Sequence, residues 1–142
     1  MNDVPTDLGD RLVVAGWLFG LASAFHVADH LRRGQGSITE TLYVLGNAAL
    51  VLQVVTVVLV VVRHQLGPLF AAIAGPSLAV GFAAAHWLPE WSAMSDPIWE
   101  VDTLRWMSVA ASGSEIVAAA AIGVLGTLVL RSRGLESVVA PR

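Results

Sequence analysis

TLYVLGNAALVLQVVTVVLVVV, residues Thr41–Val62, carries no charged side chain between Glu40 and Arg63. A helix rises about 1.5 Å per residue, so about 20 apolar residues cross a hydrocarbon layer about 30 Å thick. Three further stretches approach the same length, at Arg11–Leu31, Pro68–Trp87 and Leu104–Leu130. The stretches are too long for barrel strands and show no alternating period, and backbone in lipid must satisfy its own hydrogen bonds. The expected fold is all-α: an integral membrane four-helix bundle, up-down-up-down, with residues 1–142 forming one transmembrane domain.

Composition points the same way. Of 142 residues 56% are hydrophobic and 13% charged, with a mean hydropathy of +0.70, whereas soluble domains carry about 25% charge. All eight cationic residues are arginine, and they are scattered. That leaves no electrostatic footprint for nucleic acid. With no cysteine there is no disulfide, thiolate metal site or iron–sulfur cluster.

The breaks between stretches have turn chemistry. Arg32, Arg33, Gly34, Gln35, Gly36 and Ser37 close the first, and Arg63 to Gly67 closes the second, with Pro68 opening the third. The connection from His86 to Asp102 is longer and holds Trp87, Trp91 and Trp99 among acidic residues and prolines. Tryptophan favours the headgroup level, so a short interfacial Trp-rich segment is expected between the third and fourth helices. Asp96-Pro97 reads as a helix start, with a capping carboxylate and a preset φ.

Arg11, Arg63, Arg131, Arg133 and Arg142 fall on one side, against Arg32, Arg33 and Arg105 on the other. The positive-inside rule then places both termini in the cytoplasm. Composition rich in Ala, Val and arginine points to a bacterial plasma membrane. The acidic start, Met1 to Asp10, is expected to precede a retained anchor rather than form part of a signal peptide, and the tail from Arg133 to fray.

Ionisable residues inside a span cost about 2.5–3.5 kcal/mol each on insertion scales, so each needs a partner or a role. Steps of three and four residues put Ser23, His26 and His30 on one face of the first helix, with Asp29 beside them. Glu40, Tyr43 and Asn47 share a face of the second, while Gln53 is expected to point elsewhere. His86 ends the third helix, and Ser108, Ser112 and Glu115 share a face of the fourth. Because the helices alternate in direction, these stripes collect in the outer half of the bundle. A pocket is expected from His26, Asn47, His86 and Glu115, with His30 and Asp29 at its rim.

The expected roles are acid–base chemistry for Glu115, His26 and Asn47, ligand contacts for Tyr43, His86, Trp87 and Ser112, and a divalent transition-metal set of His26, His30, His86 and Glu115. A buried glutamate alone in a small apolar run is the most informative of these. The candidate ligands are a metal ion or a small lipophilic molecule of isoprenoid, sterol or quinone type, with isomerase, cyclase or metal-dependent chemistry as the enzyme classes. Haem between His26 and His86, and an accessory subunit without chemistry, are the alternatives. Histidines at helix ends also serve as headgroup anchors, and buried ones as packing polar groups. Gly16 with Gly20, and Gly75 with Ala79, mark close helix contacts within the bundle or in a homo-oligomer, and Gly75-Pro76 is expected to kink its helix.

Overall fold

A computed structural model describes residues 6–133. It is all-helical, with α1 at Thr6–Arg33, α2 at Glu40–Val61, α3 at Gly67–His86 and α4 at Arg105–Arg133. All four are long and apolar enough to cross a membrane. The start before Thr6 and the tail after Arg133, including its expected fraying, lie outside the described residues.

The helices begin and end where local chemistry dictates. Thr39 caps α2, its hydroxyl accepting the Leu42 amide at 3.1 Å. Pro68 sits in the first turn of α3, where its missing N–H costs nothing. Pro76 lies inside α3, which continues through it to His86. Gly34 takes φ 87° between the end of α1 and a short 3-10 turn at Gln35–Ser37, a conformation that favours glycine.

One expected helix start is corrected. Asp96 and Pro97 do not open α4; Pro97 precedes a separate 3-10 turn at Ile98–Glu100, and α4 starts at Arg105 after extended backbone at Val101. The Asp96 carboxylate is engaged by Arg33 and so is not free to cap the amides after it.

Contacts run α1 to α2, α2 to α3, α3 to α4 and α4 back to α1, closing a four-helix bundle in which α3 and α4 meet most extensively. Small residues allow that approach. A Cβ on Gly75 would sit 2.6 Å from the Ala119 carbonyl oxygen, and one on Gly126 would sit 2.7 Å from the Ala72 nitrogen. The Gly16 and Gly75 signals are thus both used within the bundle, Gly16 against Val60 and Gly75 against Ala119 and Gly123.

Polarity is inverted relative to a soluble domain. Val14, Trp17, Leu21, Val51, Val54, Ile73, Val80 and Val117 face outward, whereas Ser23, His26, Asp29, Gln53, His86, Ser108 and Glu115 are buried. On α2 the buried residues are Gln53, Thr56 and Val60, leaving most of its valines outside. This arrangement, with four such apolar helices, suggests a membrane protein. The interior is itself divided. Leu12, Phe19, Val60, Ala71, Ala74, Ile122 and Val129 form an apolar core, and the buried charged groups and histidines gather beyond it, toward the end of α1 and the beginning of α4.

Gly75→Val should destabilise the protein by more than about 2 kcal/mol, because backbone rather than flexible side chain meets the added atoms. Gly46→Ala, where a Cβ meets nothing within 4 Å, should leave stability unchanged or raise it by up to about 1 kcal/mol. Thermal unfolding of both variants in detergent measures the contrast.

Candidate functional site

The site is built around Glu115, 2% exposed, on α4. Its Oε1 accepts Ser23 Oγ at 2.9 Å and Gln53 Nε2 at 2.6 Å, and its Oε2 is bonded to His26 Nδ1. Residues of α1 and α2 thereby converge on one carboxylate of α4. A proton on His26 Nδ1 toward that carboxylate leaves the His26 Nε2 lone pair free.

Three imidazoles cluster beside this carboxylate. Ring centroids of His26 and His30 are 4.7 Å apart and stacked, those of His26 and His86 are 4.7 Å apart edge to face, and those of His30 and His86 are 5.5 Å apart. One nitrogen from each histidine lies within 4.8 Å of the other two. His86 Nδ1 donates to the Asp96 backbone carbonyl at 3.1 Å, which frees its Nε2 as well. His30 Nδ1 accepts from the Arg33 guanidinium at 2.8 Å and stands 3.9 Å from the Asp96 carboxylate.

Behind the histidines lies an ionic network. Asp29, buried, accepts Ser108 Oγ at 2.7 Å and Arg32 at 2.8 Å, with Arg33 Nε 3.3 Å away. Arg33 reaches on to both Asp96 oxygens. Burial raises the Asp96 pKa, but bonds to Arg33 and His86 and the Arg33 charge outweigh it and hold the carboxyl well below its ordinary 3.8. The connection between α3 and α4 is thus clamped to α1, and further bonds hold it down. Asp96 N donates to the Ala85 carbonyl at 2.8 Å, Trp91 Nε1 to that of Ala84 at 2.9 Å, and Thr39 Oγ1 to that of Ala93.

A cavity of about 530 Å³ extends from the histidines, with walls from α1, α2 and α3. Its polar end is His26, His30, His86, Gln53 and Glu115, and its walls include Leu42, Leu45, Leu50, Leu78 and Phe82.

Several expected residues come together here. His26, His30, His86 and Glu115 form the cluster. Asn47 and Tyr43 line the cavity without a hydrogen bond to Glu115, the Asn47 amide donating to the Tyr43 carbonyl at 2.7 Å. Trp87 and Ser112 bond to each other at 3.1 Å, outside the cavity lining. Asp29, expected at the rim, is 2% exposed and serves the arginines.

Gln53, expected to point away, is instead a direct partner of Glu115. Its signal was present: Gln53, Thr56 and Val60 recur at steps of three and four, and so form the inward stripe of an otherwise valine-rich helix. Arg33 was read only as a topology marker, although its spacing of four from Asp29 allows the observed pair.

Comparison with protein-family models, curated proteins and solved structures finds no match to this chain.

Asp96→Asn should destabilise the protein by about 3 kcal/mol, since it leaves the buried Arg33 guanidinium short of a counter-charge. The variant should melt earlier in detergent and be cut more readily within residues 87–104 under limited proteolysis.

Proposed function

We propose that this chain is an integral membrane protein of up-down-up-down topology that binds a divalent transition metal through His26, His30 and His86. The observation that carries the reading is the orientation of the imidazoles. Nδ1 of His26 and His86 is held by Glu115 and by the Asp96 carbonyl, and no hydrogen bond among the described residues uses the Nε2 of any of the three. Histidine ligands are commonly fixed in this way, with the far nitrogen on a carboxylate or backbone carbonyl. Three neutral nitrogens suit zinc, copper, iron or nickel, and three protein ligands leave a coordination position free.

Binding requires two adjustments. Nitrogens around a tetrahedral ion at about 2.0–2.1 Å lie about 3.4 Å apart, nearer than the 4.8 Å within which the three histidines bring one nitrogen each, so the imidazoles must close on binding. His30 must carry its proton on Nδ1, which turns it from the Arg33 guanidinium toward Asp96. Glu115 acts as the orienting carboxylate of His26 and, beside an activated ligand, as a proton acceptor.

Haem is less well supported. The His26 and His86 rings are in edge contact at 4.7 Å, with no slot between them for a porphyrin plane. The same Glu115–His26 pair favours a second reading, metal-free proton transfer on a lipophilic molecule in the cavity.

Protein purified in mild detergent and dialysed against zinc or cobalt should hold one ion per chain by elemental analysis. His86→Ala should abolish stoichiometric binding, and Glu115→Gln should weaken it roughly 10- to 100-fold. Folded wild-type protein without a bound ion, or His86→Ala with an unchanged ion, would refute the metal reading.

A further inference from the structure

The cavity in front of the histidines has its own chemistry. Among the residues lining it there is no arginine, and Glu115 is its sole carboxylate. Arg32 and Arg33, the cations nearest the histidines in sequence, are committed to Asp29 and Asp96. In the metal-free protein an anionic headgroup would therefore lie beside Glu115 with no side-chain cation to meet it. A neutral oxygen can instead use the imidazole nitrogens directly.

The shape of the cavity adds an apolar arm. On α3 its wall runs from Ser77 to His86, about 14 Å of helix, and its volume is within the range of about 300–1,000 Å³ that holds small organic ligands. Trp91 and Met94 line the end nearest the third connection, which the Thr39–Ala93 bond and the Asp96–Arg33 pair hold in place. The way in is at the side. α2 and α3 are packed at their hairpin, where a Cβ on Gly67 would sit 2.8 Å from the Leu59 carbonyl oxygen. Farther along, the wall residues Leu45, Gly46 and Asn47 of α2 and Ser77 and Gly81 of α3 are exposed, as is Leu31 at the end of α1.

We propose that this cavity binds a lipophilic molecule with one neutral oxygen headgroup, an alcohol, phenol or quinone carbonyl on an isoprenoid-like tail, admitted from the bilayer between α2 and α3. The headgroup contact rests on the histidine-site reading above, whereas the tail cavity stands independently of any metal. Gly81 lies on the mouth with nothing within 4 Å of its Cβ position. A leucine there has room at its Cβ, adds bulk at the cavity wall, and replaces none of His26, His30, His86 and Glu115.

The test pairs farnesol with farnesyl phosphate, which share one tail and differ in head charge. Native mass spectrometry of chelator-treated wild-type protein in mild detergent should give a saturable adduct of one farnesol per chain. Farnesyl phosphate should need at least ten-fold higher concentration for the same occupancy, and Gly81→Leu should lower farnesol occupancy at least ten-fold. Elemental analysis checks that these samples are free of metal, and dialysis against zinc should restore one ion per chain in both proteins. Absence of a farnesol adduct, equal occupancy by the phosphate, or undiminished binding in Gly81→Leu would overturn the proposal. Failure of zinc to load a wild type that binds farnesol in this pattern would refute the metal reading alone.

Discussion

Glu115 is a carboxylate in the middle of a helix whose neighbours are mostly alanine, glycine, valine and isoleucine, and it is tolerable there only because three polar groups reach it. Ser23 and His26 come from α1 and Gln53 from α2. Those bonds fix how α1, α2 and α4 sit against one another at the polar end of the bundle. They also set the His26 ring, on which His30 stacks and against which His86 packs edge-on. Were the carboxylate removed, the other polar groups would be left in an apolar interior without partners, a worse situation than an apolar core.

The molecule divides its labour along its length. One half is held by close backbone approach and shape, with Gly75, Gly123 and Gly126 admitting neighbouring helices and Phe19, Ile122 and Val129 filling the space. The other half is held by directed bonds and ion pairs, with Asp29, Arg32, Arg33 and Asp96 joining α1 to the connection before α4. Where lipid surrounds apolar helices, hydrophobic burial does little to select one packing over another, and small-residue contacts and interhelical polar bonds do so instead.

Much of this was legible from residue type and spacing. Four apolar runs gave four helices within a few residues of their observed ends, and the positions of Ser23, His26, His86 and Glu115 along those runs were enough to expect them near one another. The failures share a cause: spacing along one helix does not say which face meets a neighbour. Asn47 and Tyr43 do line the cavity, but the α2 residue bonded to Glu115 is Gln53, six residues on from Asn47. Trp87 and Ser112 lay near the right level and paired with each other. Asp96-Pro97 had the local form of a helix start, yet a buried Arg33 from a distant segment captured the carboxylate. That choice depends on tertiary structure, which no local pattern encodes.

The proposed metal centre rests on three imidazoles at the head of the cavity. X-ray absorption spectroscopy of zinc-loaded protein counts and types the atoms around the ion. Three imidazole nitrogens at about 2.0–2.1 Å are expected, with the remaining position filled by a light atom from solvent or ligand. A first shell composed of oxygen with one imidazole or none would contradict it.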